Sequence, residues 1–240
     1  MKLRSKRPGI IYDPEKLPVH IAIIPDGNRR WARQRGLGSI FGHREGAKRI
    51  KEIILHASKV GIKHISFYAF STENWKRTDK EVKGLMELIL EFLKKADREL
   101  NGSRIRISIV GDKNALPEEI RDEIVRIESK TRAYEGTNLN LFLNYGSRQE
   151  MLDAMVKAFK DGALELTEEG FRKYLYRPDI PDPDLVIRTS GEYRLSNFML
   201  WQNAYAELYF TDVLWPGFTT REFDKAIADF QKRTRRFGGI

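Results

Sequence analysis

The sequence predicts an α/β domain, a mostly parallel central sheet of about six strands flanked by helices. Three observations carry that reading. Short apolar runs rich in β-branched residues alternate along the chain with helical stripes. Most of those runs are apolar almost throughout, as strands covered on both faces must be, although Ile105, Ile107 and Ile109 alternate with Arg106 and Ser108. No repeat, low-complexity linker or domain boundary divides the 240 residues, so one domain is expected over 19–240 behind a basic tail at 1–18.

Val19–Ile24 is the first expected strand. His43–Val60 follows as a helix with Ala47, Ile50, Ile53, Ile54 and Ala57 on one stripe and Gly61 as its C-cap. His64–Phe70 is the second strand. Glu81–Leu100 then places Val82, Leu85, Met86, Ile89, Phe92, Leu93 and Ala96 at helical spacing. That periodicity fits a plain core helix and a helix lining a cavity equally well. Ile105–Val110 is the third strand, and Pro117 opens a helix reaching Ala133, since proline suits a first turn. Leu139–Leu143 makes the fourth strand, and Gln149–Phe159 and Glu168–Leu175 are helical. Leu185–Arg188 and Glu207–Phe210 are the last strands, and Thr220–Arg236 closes the chain as a helix.

Composition narrows the function. Lys and Arg number 43 against 34 Asp and Glu, a formal net charge of +9, which implies an anionic partner: nucleic acid, anionic lipid or a phosphorylated substrate. Hydrophobic residues at 41% supply a core and exclude wholesale disorder. With no cysteine, disulfides, iron–sulfur clusters, thiolate zinc sites and cysteine nucleophiles are excluded, and reduced cytoplasm is the default location. Apolar runs are too short to span a bilayer, and the basic Met1–Arg7 stretch lacks the apolar core of a signal peptide. A solvated tail is its ordinary reading, and docking to a membrane surface the minority one.

Ligands of parallel sheets bind beyond the carboxyl ends of the strands. The segments there are Pro25–Trp31, Ser71–Arg77, Asn144–Arg148 and Arg188–Asn197. Together they bring an excess of arginine, amide and hydroxyl donors, a few acids and two tryptophans to one rim. Arginine clusters with backbone N–H groups hold phosphates, and a lone carboxylate among them suggests a bridging divalent cation. Taken singly, each loop reads as an ordinary polar turn. Gly42–Lys48 is too short for a P-loop, and no G-x-G-x-x-G follows a strand.

These segments resemble the cis-prenyltransferases. The matching pieces are His20–Ala32, Phe41-Gly42-His43, Tyr68–Arg77, Asn144-Tyr145-Gly146 and Asp184–Phe198. They continue through Trp201-Gln202, Tyr205–Thr211, Trp215-Pro216 and Arg235–Gly239, in family order. The resemblance implies an enzyme that adds isopentenyl diphosphate repeatedly to an allylic diphosphate primer, farnesyl or geranylgeranyl diphosphate, with Mg²⁺ as cofactor. Each new double bond would be cis, pyrophosphate would be released, and the active site would lie at the C-terminal strand edge beside a hydrophobic tunnel. It further implies that Asp26 holds the metal and assists pyrophosphate departure, and that Gly27, Asn28, Arg29, Arg30 and Trp31 surround the primer diphosphate. His43 would sit beside it, able to handle protons. Arg188, Arg194 and Ser196 match the isopentenyl diphosphate pocket, and Glu207 the second metal carboxylate. Ser71, Thr72, Glu73, Asn74, Trp75 and Arg77 form the substrate-positioning loop, with Asn74 in a catalytic role. A homodimer is implied, with Arg236-Phe237-Gly238 reaching the neighbouring subunit.

Two departures stand out. Pro25 replaces the usual methionine before Asp26, which should stiffen the loop. Ser39 stands where many bacterial members carry arginine, while Arg29 stands where many carry glycine, so either Arg29 supplies the missing charge or primer binding differs. The proton acceptor stays open among His43, Ser71 with Asn74, and the departing pyrophosphate. A non-catalytic partner subunit would lack the acid and arginines present here. A nucleic-acid-binding role is not expected, because Asp26 and Glu207 sit among the arginines. Asp179, Asp182 and Asp184, set among prolines, read as a loop, and His20, His56 and His64 as structural.

Overall fold

In the computed structural model, residues 12–100, 103–163 and 165–234 are described. The basic Met1–Arg7 stretch and the terminal Arg236-Phe237-Gly238 segment lie outside them. Six strands form one sheet: β1 (His20–Ile24), β2 (His64–Ser71), β3 (Arg106–Val110), β4 (Asn138–Tyr145), β5 (Leu185–Arg188) and β6 (Glu207–Phe210). Their order is β3-β4-β2-β1-β5-β6, and every neighbouring pair is parallel. All six strands fall where the sequence places them, within two residues at each end. Along β1, Ile21 and Ile23 join one core while Ala22 and Ile24 join another, so the strand is buried on both faces.

Helices cover those faces. α2 (Ser39–Val60), α3 (Asp79–Glu99), α4 (Glu118–Thr131) and α7 (Thr220–Phe230) contribute to the larger core through Ile53, Leu93, Ile124 and Phe223. α5 (Ser147–Lys160) and α6 (Glu168–Arg172) pack together through Ala154 and Phe171. A short α1 (Asn28–Arg33) was not expected from the sequence. It starts directly after Gly27, whose φ of 106° turns the chain from strand to helix. Gly42 and Gly46 then let α1 lie against α2, since a Cβ at either would stand 2.0 or 2.2 Å from an Asn28 oxygen.

Two helices end sooner than their periodicity suggests. α6 stops at Arg172 because the Tyr176 N–H is taken by the Glu150 carboxylate and Pro178 follows. α7 stops at Phe230, where the Gln231 side chain bonds the backbone of Asp13 and Lys16. Residues 12–18, assigned to the tail by sequence, lie against the domain: Tyr12 and Leu17 pack on its core.

The chain reverses direction across the sheet between β1 and β5, so the crevice beyond their carboxyl ends is where a ligand belongs. β2 and β4 also slip register near that end, opposite Ala69 and then Asn144. Such bulges redirect side chains beside functional sites. Asn144 takes up the strain with φ 47°.

Candidate active site

Asp26 and Arg188 meet in that crevice because Ile24 of β1 lies opposite Arg188 of β5. Arg188 Nη2 donates to Asp26 Oδ2 at 3.0 Å, and its Nη1 donates to Ser196 Oγ at 2.7 Å and to the Arg194 carbonyl. Arg188 is 4% exposed and its Nε has no partner, a buried donor left free beside the acid. Arg30 approaches Asp26 Oδ1 only to 3.8 Å, so that oxygen has no hydrogen bond from it. Arg30 itself is fixed by the Ser190 carbonyl, the Ser190 hydroxyl and Glu192. Ser190 does this from a left-handed backbone, φ 77°, and Ser196 and Asn197 are likewise left-handed. Backbone strain of this kind gathers at functional loops.

A cleft of about 520 Å³ opens beside Asp26, lined by Gly27, Asn28, Arg29, Arg30, Arg33, Ser39, His43 and Arg77. Arg29 and Ser39 therefore face the same space. Glu81 anchors this wall: its buried carboxylate accepts from Arg77 at 2.9 Å and from His43 Nε2–H at 3.4 Å, with Arg29 at 3.9 Å. Burial lowers the His43 pKa, Arg77 and Arg29 lower it further, and Glu81 offsets part of that. That shift favours the neutral ring, in which Nε2–H donates to Glu81 and Nδ1 is an acceptor. From sequence Glu81 reads only as a helix start, because its three partners come from α1, α2 and the segment after β2.

The segment after β2 is folded by its own side chains. Ser71 and Asn74 form a reciprocal capping box around a short 3₁₀ turn, Thr72–Lys76. Trp75 donates its indole N–H to Asn144 Oδ1 at 2.8 Å and sets its ring edge-on to Phe70. Asn197 donates to Glu73, whose pKa burial would raise but whose hydrogen bonds from its own backbone, Asn197, Ser71 and Thr72 lower. Behind this loop Glu150, 1% exposed, accepts from the Tyr145 hydroxyl, the Gln202 amide and the Tyr176 N–H. Sequence reasoning did not single it out either.

From Asp26 a second cavity of about 580 Å³ runs between the sheet and helices α2 and α3. Its mouth is polar, with Asp26, His43, Ser71, Asn74, Arg77, Arg188 and Ser196, and its walls are apolar: Ile50, Leu85, Leu88, Ile89, Phe92 and Leu141. The inner face of α3 is thus a cavity wall as well as core.

Five sequence candidates line neither cavity: Thr72 and Trp75 of the loop after β2, and Trp31, Arg194 and Glu207. Trp31 lines neither cavity and lies under the Arg35 guanidinium, 4.1 Å from its ring centre. The Arg194 guanidinium is turned to Glu192. Glu207 opens β6 opposite Leu185, at the amino end of the strands, and pairs with Arg233 at 2.9 Å. Its register puts it on the far edge from Asp26, so one chain does not bring the two carboxylates together. Among the described residues no three His, Cys, Asp or Glu side chains converge as a metal cluster.

Comparison with known proteins agrees with this geometry. Residues 24–238 match a family model described as "Putative undecaprenyl diphosphate synthase". An isoprenyl transferase of Fusobacterium nucleatum is 51% identical over 94% of this chain and 98% of its own length. One from Thermotoga maritima is 48% identical over 94% and 98%. A crystal structure of lavandulyl diphosphate synthase from Lavandula x intermedia, in complex with dimethylallyl diphosphate, superposes with a TM-score of 0.89 at 38% identity, over 93% of this chain and 99% of that one. With the acid, the arginines and the apolar cavity in one crevice, and with relatives matched over nearly their whole length, the chain belongs to the undecaprenyl diphosphate synthase family of prenyltransferases.

Proposed function

We propose that this chain is a cis-prenyltransferase that elongates an allylic diphosphate primer, farnesyl or geranylgeranyl diphosphate, with isopentenyl diphosphate. One observation carries the reading: Asp26 sits between Arg188 and Arg30 at the mouth of an apolar cavity of about 580 Å³. The primer diphosphate would lie in the cleft of Asn28, Arg29 and Arg30 with its hydrocarbon tail in that cavity. Isopentenyl diphosphate would take the side of Arg188, Arg194 and Ser196.

In each cycle the allylic C–O bond breaks and its electron pair leaves with pyrophosphate. The isopentenyl double bond attacks the allylic carbon, and the proton released from the adjacent carbon restores a double bond. Arginines fixed around the leaving group lower this barrier, each such donor contributing roughly 3–4 kcal/mol. The apolar walls keep water from the developing allylic cation. His43, neutral and with a free ring nitrogen, fits the proton acceptor, while Ser71 with Asn74 and the departing pyrophosphate remain its rivals. Asp26 fits Mg²⁺: Oδ1 lacks a hydrogen bond from Arg30, and Mg²⁺ takes oxygen ligands with only one or two protein carboxylates. Bound there, Mg²⁺ neutralises charge on the leaving diphosphate. Glu207 supports no share in that metal within a single chain.

The exposed row Leu152, Met155, Val156 and Phe159 on α5, spaced as one helix face, supports a homodimer that covers it. Among the described residues no helix is long and apolar enough to cross a membrane, and peripheral contact is left to the basic amino terminus.

The test is incubation with Mg²⁺, labelled isopentenyl diphosphate and each of geranyl, farnesyl and geranylgeranyl diphosphate, followed by sizing of the products. A ladder of polyprenyl diphosphates is expected with at least one primer, and no coupling with dimethylallyl diphosphate alone. Absence of incorporation with every primer would overturn the reading.

A further inference from the structure

Three cations near the β3 edge of the sheet have no carboxylate within ion-pair distance among the described residues: Arg106, Arg132 and Lys157. They come from the first residue of β3, the residue closing α4, and α5. All three line one groove of about 450 Å³, together with Ser108, Ser129, Lys113 and Arg177. We propose that this groove is a second phosphoryl-anion site, separate from the active crevice. In sheet order Arg106 stands three strands from β1, about 14 Å across.

The charge balance in the groove favours an anion. Its lining holds five cations against one carboxylate, Glu128. Glu128 is already committed, accepting from the Ile109 N–H at 2.7 Å and from Lys113 at 2.8 Å. Nearby Asp179 is held by both arms of the Arg177 guanidinium, and Arg106 acts on it only from beyond ion-pair distance. What remains is Arg106, Arg132 and Lys157, with Lys157 resting over the Tyr176 ring at 5.4 Å. Like charges gathered in a concave, partly desolvated wall repel one another and focus a positive potential outward. An anion relieves that repulsion.

Guanidinium pairs match the oxygens of a phosphoryl group, and Ser108 and Ser129 add hydroxyl donors at the wall. The volume suits a small ligand rather than a polymer. The β3 edge cannot be claimed by another strand here, because α4 has covered it: Thr131 and Glu128 accept the Ile107 and Ile109 N–H groups. The ligand is therefore bound by side chains, as a phosphate monoester, a free diphosphate or a phospholipid headgroup would be.

The test uses the full chain and two probes. In calorimetric titration with pyrophosphate, the wild type should show one class of sites beyond that of the active crevice. Arg106→Ser with Arg132→Ser should weaken that class about tenfold, as loss of charge-assisted hydrogen bonds does, without altering turnover. In the second arm, the same variant is sedimented with phosphatidylglycerol and with phosphatidylcholine vesicles. Lys59→Ser with Arg221→Ser, removing two exposed charges elsewhere, is the control in both arms. A selective loss with pyrophosphate identifies a free phosphoryl ligand, and a selective loss with anionic vesicles identifies a headgroup. Should the double variant fail to fold, Arg132→Gln at an exposed position gives the same reading at reduced size. Groove variants that match the control in both arms overturn the proposal.

Discussion

The two ends of strand β1 carry polar residues six positions apart, and they are built on opposite terms. His20, at the amino end, is fully buried with both ring nitrogens engaged, one by the Pro181 carbonyl and one by the Ser66 hydroxyl. Asp184 closes that end by accepting the Val19 and His20 N–H groups. Asp26, beyond the carboxyl end, keeps a third of its side chain exposed and an oxygen without a hydrogen bond from Arg30, beside a buried Arg188 Nε with no partner. Of the left-handed non-glycine residues described, all but Arg104 lie at the carboxyl end of β4 or in the loop after β5. His20 is satisfied within the fold, whereas the free donor of Arg188 beside Asp26 stands at a strained rim where a ligand can meet it.

Exchanging each residue for alanine should separate the two roles. Asp26→Ala is expected to lower turnover by about a thousandfold or more, the scale of losing a main electrostatic stabiliser of the transition state. Its melting temperature should fall less than that of His20→Ala, because Arg30 and the Nη1 of Arg188 keep other partners and only Arg188 Nη2 loses its own. His20→Ala should do the reverse, costing about 2–4 kcal/mol of stability by leaving Ser66 and Pro181 unmet around a cavity, with turnover of the folded fraction retained. Steady-state rates and denaturant unfolding of both variants measure this. Near-normal turnover in Asp26→Ala would break the comparison.

Acid sharpens the same contrast. Burial lowers the His20 pKa from 6.5 to about 4. Unfolded His20 takes up its proton near pH 6.5 and folded His20 only near 4, so between them the unfolded chain binds more protons. The contribution is complete above pH 6.5 and drains away as pH falls towards 4, about 3 kcal/mol in all. His43 and His64 are lowered too and act in the same direction. Urea unfolding across that range should show the loss, and His20→Gln should flatten it. A stability flat between pH 6.5 and 4 in the wild type would contradict the burial of a neutral ring.

What the sequence disclosed follows the same division. Strands and long helices were legible because apolar period decides them, and the rim was legible because strand ends are where loops must be. α1 was not, since six residues hold no readable period and its place depends on Gly42 and Gly46 of another helix. The spacing of Leu85, Ile89 and Phe92 could not separate core from cavity wall, a question of what lies opposite. Glu81 and Glu150 look like ordinary helix-surface acids until partners from distant elements bury them. Glu207 matches the family motif by its letters, and its register in β6 places it at the edge away from Asp26 within one chain.

Arg29 and Ser39 give the smallest and most specific test of the rim. Both line the cleft beside Asp26, so a cation on either residue reaches the same space. Arg29 is largely exposed and tied only loosely to Glu81, at 3.9 Å, which leaves its guanidinium available to a diphosphate. Arg29→Gly should raise the primer KM about tenfold, the worth of one charge-assisted contact, with turnover at saturation changed less. Adding Ser39→Arg should recover most of that loss, because the charge returns to the same cleft from α2. Glycine at position 29 also weakens the first turn of α1, by up to about 1 kcal/mol. Ser39→Arg cannot repair that helix defect, so recovery of KM without recovery of melting temperature isolates the electrostatic part. If the second exchange restores nothing, Arg29 acts through the helix and not through its charge.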